Sequence, residues 1–304
     1  MRDVVIIGAG PAGMTSAVYA ARKKMDCVIY ANVVGGLAIW SVGVENYMGY
    51  HLISGVELMA KFEEQVKEFD IPIENKMVEK VSKEGDIFTV HLDGGEEVQT
   101  KTVIVATGRS PRHLKIPGEK EFVGKGVTYC ATCDAPLFAK LDVAVIGGGN
   151  AALSSIVQLL DIAGMVYAVS QYGWSADPVL QERAAGAKNI EILKGYDIIA
   201  IEGQNLVERL KIKSRKTDEV RELAVRGVFI EIGSEPNSGF VSGLVELNEK
   251  QEIVVDCGSR TNVAGLFAAG DVTNVPQKQI IVAAGEGAKA ALSAFEYLIR
   301  LREN

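Results

Sequence analysis

Short runs of apolar residues recur along the chain, each ending in glycine or another turn former. Val4-Val5-Ile6-Ile7, Cys27-Val28-Ile29-Tyr30, Thr102 to Val105 and Val143-Ala144-Val145-Ile146 are the clearest. Runs of this length, with little polar alternation, read as strands buried on both faces. Helical spacing takes over at Ala17 to Ala21 and, amphipathically, at Val56 to Phe69. Val78 to Leu92 reads as strands around a turn at Glu84-Gly85-Asp86, with a second turn at Asp93-Gly94-Gly95. Further strands are predicted at Val166 to Val169, Ile190 to Leu193, Ile198 to Glu202, Arg209 to Ser214, Val225 to Ile232, Ile253 to Val255 and Leu266 to Ala268. A helix from Ala283 to Leu298 closes the pattern. Strands alternating with helices in this way predict an α/β fold with parallel sheets.

Two of the apolar runs lead into glycine turns. Val4 to Ile7 is followed by Gly8-Ala9-Gly10-Pro11-Ala12-Gly13, then a helix and a second strand. That order is the one a dinucleotide fold requires: the glycines admit a tight turn and close approach of a pyrophosphate to the helix N-terminus. The acid expected at the end of the second strand is replaced by Tyr30-Ala31-Asn32. Gly35-Gly36-Leu37 offers further backbone donors. Asn46, in the loop Glu45-Asn46-Tyr47, is placed to bond a bound ring or its own turn. The strand end Ala106-Thr107-Gly108 admits close backbone approach, or is an ordinary strand-to-loop turn. Near the C-terminus Ala269-Gly270-Asp271-Val272 puts an aspartate after a small-residue strand, where it can bond a ribityl hydroxyl. Gln277 to Ile280 then leads into a helix with Gly285 and Gly287 in its first turns.

The second glycine turn is Gly147-Gly148-Gly149-Asn150-Ala151-Ala152, with Ala152 in the third glycine's place. An internal duplication of the nucleotide fold follows. The strand after it ends in Ser170-Gln171-Tyr172, with neither a carboxylate for the ribose diol of NADH nor an arginine for the 2′-phosphate of NADPH.

Cys130-Ala131-Thr132-Cys133, followed by Asp134, carries the candidate chemistry. Two cysteines so spaced can close and open a disulfide, and the first can become a nucleophile. The alternative is half of a zinc site, which needs two more ligands. Cys27, Cys257, His51, His91 and His113 are scattered and none has ligand spacing, so no metal is expected.

The chain of 304 residues is long enough for two domains. A net charge of −7 argues against a nucleic-acid partner. No apolar run is long enough to span a membrane, and the chain opens directly on a strand, so no signal peptide and a cytoplasmic location are expected. Pro111 and Pro117-Gly118 mark a connector. The basic residues Lys211, Lys213, Arg215 and Lys216 form either a solvated strand edge or a docking surface for an acidic partner.

Taken together, these motifs resemble the low-molecular-weight, bacterial-type thioredoxin reductases over essentially the whole chain. The resemblance implies two Rossmann-like nucleotide-binding domains of three-layer ββα form, the second inserted in the first. Residues 1–112 and 248–304 would form a FAD-binding domain, and 113–247 an NAD(P)-binding-like domain carrying the cysteine pair. It implies a homodimeric flavoprotein that reduces thioredoxin. Cys133 would face the flavin, Cys130 would exchange with thioredoxin, and Asp134 would move the proton. FAD would be held by Gly8, Gly10, Pro11, Ala12, Gly13, Tyr30, Ala31, Gly35, Gly36, Leu37, Asn46, Val78, Ala106, Thr107, Gly108, Gly270, Asp271, Lys278, Gln279 and Ile280. Segments near 112–117 and 244–248 would act as hinges.

The departures are specific. Ser170-Gln171-Tyr172 replaces the family's His-Arg-Arg run, Ser154-Ser155 stand where acids are usual, Leu37 replaces a Gln, and Lys278 replaces an Arg. In these the chain resembles the ferredoxin-dependent flavin thioredoxin reductases, which implies ferredoxin as electron donor. The alternatives are an NAD(P)H-dependent thioredoxin reductase with an atypical pocket, a ferredoxin–NADP reductase of the same fold, and a non-enzymatic flavin redox sensor.

Overall fold

The computed structural model describes residues 1–40, 44, 46–129 and 131–303. The chain divides into two compact units, Met1–Ser110 with Glu235–Asn304, and Pro111–Ser234. The second is thus an insertion in the first, as the family resemblance implies.

In chain order the first unit comprises β1 (Arg2–Ala9), α1 (Pro11–Arg22), β2 (Cys27–Val34), α2 (Gly55–Glu68), β3 (Ile73–Glu74), β4 (Val78–Glu84), β5 (Ile87–Leu92) and β6 (Glu97–Val105). The short β7 (Arg109–Pro111) leaves it. The inserted unit runs β8 (Val127–Thr128), α3 (Ala131–Asp134), β9 (Val143–Ile146), α4 (Asn150–Leu160), β10 (Val166–Ser170), α5 (Pro178–Ala185), β11 (Ile190–Lys194), β12 (Tyr196–Gly203), β13 (Val207–Ser214), β14 (Val220–Ala224) and β15 (Gly227–Ile230). The chain returns through β16 (Ser234–Pro236), which pairs with β7, and ends in β17 (Leu266–Ala268) and α6 (Ile280–Glu303).

Both units have the same plan. In the first, parallel strands run β3-β2-β1-β6, with β17 on the far side of β6. In the second, the parallel order is β11-β10-β9-β15-β8. The central strand of each alternates its side chains between two cores, because successive residues of a strand point to opposite faces. Val4 and Ile6 pack with α1 and α6, whereas Val5 and Ile7 pack with Val81, Phe88 and Val90 of the antiparallel ribbon β4-β5. In the inserted unit Val143 and Val145 pack with Leu153 and Ile156 of α4, and Ala144 and Ile146 pack with Ile198, Leu210 and Leu223 of the antiparallel sheet β12-β13-β14. Each unit is therefore a ββα sandwich of three layers.

The crossings differ from those expected. The first lies two residues before residue 112. The return lies at 234/235, not 247/248. Residues 235–247 belong to the first unit because Val241 and Val245 are buried in its core, and Asn237 bonds Thr107 and Ser110. Neither expected hinge is a free connector. Leu114 and Ile116 pack against the inserted unit's core, and Pro117 O accepts from Ile201 N–H at 3.0 Å. Ile253 to Val255 forms only isolated bridges, since Ile253 meets Leu247 and Thr273 singly. β14 and α5 had no clear signal in the sequence. Among the described residues no helix is long and apolar enough to cross a membrane.

Candidate functional site

The first glycine turn joins β1 to α1. Gly8 has φ +106°, and a Cβ there would stand 2.3 Å from Ala106 O. Gly13 has an ordinary φ, but its Cβ would fall 1.8 Å from Gly8 O, so only glycine lets α1 approach the turn. Gly10 caps α1 with no side-chain hydrogen bond, and among the described residues nothing lies within 4 Å of where its Cβ would be. The space beside Gly10 is therefore open at the end of α1, where first-turn N–H groups lack helical partners, which suits a phosphate. Gly35 and Gly36 close over the turn: Gly35 N–H donates to Ala9 O at 2.7 Å, and a Cβ on Gly36 would stand 3.4 Å from Gly10 Cα.

Opposite α1, the loop after β17 supplies a carboxylate. Asp271 is partly buried and makes no hydrogen bond among the described residues, and burial pushes its pKa up while Lys278 and Arg109 pull it back. Such a group is costly to bury unless a partner arrives. The neighbouring Gly270 N–H donates to Glu286 Oε2 at 3.0 Å, and burial raises the Glu286 pKa as well. Lys278 Nζ bonds Thr273 O at 2.5 Å and lies 3.2 Å from Glu252, which also takes Arg109 at 3.0 Å. Asn46 Nδ2 donates to Gln279 Oε1 at 3.0 Å, so two candidates far apart in sequence meet. Ile280 begins α6, whose Gly287 lets the helix press on Ala12.

Not every candidate presents a side chain to such a ligand. Tyr30 and Val78 are core residues of one cluster, leaving only their main chain for contact. Thr107 Oγ1 donates to Asn237 O at 2.7 Å and serves the returning segment. Leu37 is exposed and Ala31 half-buried. Glu45 lies outside the described residues. The arrangement fits a dinucleotide: a glycine cradle with no Cβ, an uncapped helix N-terminus and a carboxylate with no hydrogen bond among the described residues.

The inserted unit repeats the cradle with different furniture. Gly147 has φ +145°, and its Cβ would meet Glu231 O at 2.2 Å, as Gly8 meets Ala106 O. Ser175 N–H donates to Gly148 O at 2.7 Å, the counterpart of Gly35 on Ala9. The strand end then diverges. Gln171 Nε2 bonds Asp197 Oδ1 at 3.0 Å, and the Arg215 guanidinium lies 4.7 Å over the Tyr172 ring. Lys194 Nζ sits 4.5 Å over Trp174. Asp177, paired reciprocally with Asn150 at 3.1 and 2.7 Å, brings an acid to the start of α4. A negative charge there disfavours a phosphate.

Of the cysteine pair, Cys130 lies outside the described residues, as does the side chain of Cys133. Around them, Asp134 accepts a short hydrogen bond from Thr128 Oγ1. Tyr129 OH donates to buried Glu119 at 2.8 Å and meets His113 Nδ1 at 2.8 Å. Burial would raise the Glu119 pKa, but the Leu114 N–H, the Tyr129 hydroxyl, the Lys115 N–H and His113 hold it below the usual range. Cys27 is buried, which pushes its thiol up to about 11, so it is no nucleophile at neutral pH. Among the described residues no three His, Cys, Asp or Glu side chains gather as a metal site.

Three of the basic residues at the strand edge are ion-paired. Lys211 lies 2.9 Å from Glu202 and 3.3 Å from Glu222, Lys213 lies 2.7 Å from Asp218, and Arg215 lies 3.6 Å from Asp197. Sequence reasoning missed Glu231, Lys194 and Glu252, and read Arg215 only as part of the basic strand edge. Aligning Ile230-Glu231-Ile232-Gly233 with Val105-Ala106-Thr107-Gly108 across the duplication would have marked Glu231. The other three are brought in by sheet pairing and return loops.

Two Rossmann-type units, one inserted in the other, with a redox-spaced cysteine pair in the inserted one, define a class of disulfide oxidoreductases. The chain belongs to the pyridine nucleotide-disulphide oxidoreductase family, whose pattern matches residues 2–287. It is 42% identical over 302 residues to a protein named NADH dehydrogenase in Ferdinandcohnia aciditolerans, covering 98% of this chain and 58% of that one. It is 41% identical over 306 residues to an alkyl hydroperoxide reductase component of Pseudomonas putida, with the same coverage. The chain thus spans just over half the length of these curated relatives. Its fold matches the crystal structure of Lactococcus lactis thioredoxin reductase with a TM-score of 0.86 and 36% identity, covering 99% of this chain and 100% of that one. A ferredoxin-flavin thioredoxin reductase from Clostridium acetobutylicum matches with a TM-score of 0.57 and 32% identity, covering 100% and 99%.

Proposed function

We propose that the chain is an FAD-dependent thioredoxin reductase whose electrons come from reduced ferredoxin. The observation that carries the donor assignment is the second glycine turn. Its strand end offers an amide tied to Asp197 and a tyrosine capped by Arg215, and its helix starts beside an acid. Neither a ribose-binding carboxylate nor an arginine stands on the strand end itself.

The first unit is the FAD site in this reading. The α1 N-terminus and Gly8, Gly10 and Gly13 would hold the pyrophosphate, Asp271 the ribityl chain, and Asn46 with Gln279 the ring edge. When bound, a flavin supplies chemistry that joins a one-electron donor to a two-electron disulfide. The chain's own part is thiol exchange. The Cys130 thiolate attacks the thioredoxin disulfide, forming a mixed disulfide and releasing one thioredoxin thiolate. Cys133 then attacks the Cys130 sulfur, which closes the Cys130–Cys133 disulfide and frees reduced thioredoxin. Asp134, oriented by Thr128, exchanges the proton. The acting form is a cytoplasmic homodimer.

A second reading keeps the reaction and changes the donor to NAD(P)H. Arg215 and Lys194 favour it, since they bring positive charge to the end of β10 from other strands. One experiment separates the two. Anaerobic holoprotein is mixed with reduced ferredoxin, NADH or NADPH, and the flavin absorbance near 450 nm is followed. Bleaching by ferredoxin within seconds, with none by either nicotinamide at modest concentration, is the expected result. The reverse overturns the donor assignment.

A further inference from the structure

Glu231, just beyond β15, turns its carboxylate into a junction of three elements. Ser155 Oγ of α4 donates to Oε1 at 2.8 Å. The Ala131 N–H, at the start of α3, donates to the same carboxylate. Its own N–H is held by Ile146 O of β9 at 2.8 Å. The Ala131 nitrogen is the amide that follows Cys130 in the chain. Ser155 is one of the two serines standing where acids are usual, so the carboxylate reaches the helix from β15.

We infer that Glu231 is a positioning residue for the Cys130–Cys133 pair: it anchors the amide after Cys130 and sets the charge beside the reactive turn. The inference rests on the redox role proposed above. The elements meeting at Glu231 supply little charge of their own. β9, β15, α4 and the neighbouring β8 carry no ionisable side chain, and α3 carries only Cys133 and Asp134, the latter already bonded to Thr128. Burial pushes the Glu231 pKa up, and the bonds from Ser155 and Ala131 pull it back. A group so placed is tuned against its neighbours, not merely solvated.

Reduction of the pair takes two electrons, breaks the S–S bond and leaves two sulfurs that bind protons or keep charge. A carboxylate nearby disfavours a thiolate, so removing its charge favours the reduced pair. The test equilibrates the full-length holoprotein with graded dithiothreitol at pH 7, traps thiols by alkylation and counts the modified Cys130 and Cys133. Glu231→Gln retains an acceptor for Ala131 and loses the charge. It is expected to shift the equilibrium toward the dithiol by about three- to tenfold, tenfold being about 30 mV for this couple, with an unchanged Tm. Glu231→Ala also loses the acceptor, and its exchange with oxidised thioredoxin is expected to slow by about tenfold. Ser155→Ala should shift the equilibrium less than either.

Wild-type equilibrium and exchange in both Glu231 variants would overturn the inference, and so would a change confined to Tm. A wild-type protein that forms no Cys130–Cys133 disulfide at any poise overturns the redox reading, and this inference with it.

Discussion

The two glycine turns of this chain are built alike and furnished differently. Each follows a central strand with a buried apolar run, each begins with a positive-φ glycine lodged under a neighbouring strand end, and each accepts backbone N–H groups from the next loop, one at Ala9 and two at Gly148. In the first turn that strand end is Ala106, small enough to let a ligand approach. In the second it is Glu231, whose side chain is spent on Ser155 and Ala131. In the first the nearby acid, Asp271, has no hydrogen bond among the described residues. In the second the acid beside the helix start, Asp177, is bonded to Asn150. One duplication has kept a cradle with open groups. The other has turned similar groups inward, on the unit that bears the cysteines. A shared backbone therefore does not settle what a Rossmann unit binds; the residues on the strand ends do.

The sharpest way to break this comparison is at the third position of each turn. Gly13→Ala puts a methyl where Gly8 O already stands. The helix must move, at a cost of about 3 kcal/mol, which corresponds to about a hundredfold weaker flavin retention. The flavin-to-protein absorbance ratio after gel filtration should fall close to zero. The reciprocal change, Ala152→Gly, should cost the helix propensity of one residue plus one buried methyl, about 1–2 kcal/mol, read from urea unfolding. Retention of flavin by Gly13→Ala would mean that α1 is not the cofactor's anchor.

Asp271 sharpens the comparison from the other side, because binding and stability should move oppositely. Replacing it with Asn removes a charged acceptor, a loss of about 1.5–3 kcal/mol, or about ten- to hundredfold in flavin affinity. The flavin-free protein should gain. Burial raises the Asp271 pKa in the folded state. Such a group stabilises the fold below its unfolded pKa, and that contribution is lost as pH rises through the folded value. At pH 7 the charged form is held at a cost that Asn does not carry. Apo Asp271→Asn should therefore melt above wild type at pH 7, and the difference should vanish below about pH 3.5, where the carboxyl is neutral in both states. Thermal melts of both proteins at both pH values decide it.

Much of this was legible in the sequence, and what was not has a common cause. Buried parallel strands declare themselves as apolar runs, and glycine turns declare the sites they support. These signals are local, so β1, β9 and the cysteine motif read directly. Asn46 and Gln279 were each flagged, but their meeting depends on how the loop before α2 lies against α6. The return crossing was misplaced because Val241 and Val245 look like any short apolar pair until the first unit's core closes on them. Glu231 reads as a lone acid at a strand end unless the two halves of the duplication are aligned. The absence of charge at Ser170-Gln171-Tyr172 was correct along the chain and incomplete in space, since β13 delivers Arg215 to the Tyr172 ring.

That last contact carries the smallest expected effect and the most direct challenge to the donor assignment. Tyr172 is 85% exposed. A guanidinium stacked on so exposed a ring is worth about 0.5–1 kcal/mol, and the Arg215–Asp197 pair at 3.6 Å adds little at the surface. If the second turn has no nicotinamide to hold, Arg215→Ala and Tyr172→Ala should leave ferredoxin-driven thioredoxin reduction within about twofold of wild type. If Arg215 instead receives a 2′-phosphate, the loss of a charge-assisted bond should raise the KM for NADPH by about tenfold or more at unchanged kcat, while the KM for NADH stays the same. Steady-state kinetics with the three donors therefore tests whether the space beside Tyr172 belongs to a ligand or only to the surface. A selective NADPH effect would restore to the second turn the function that its own strand end argues against.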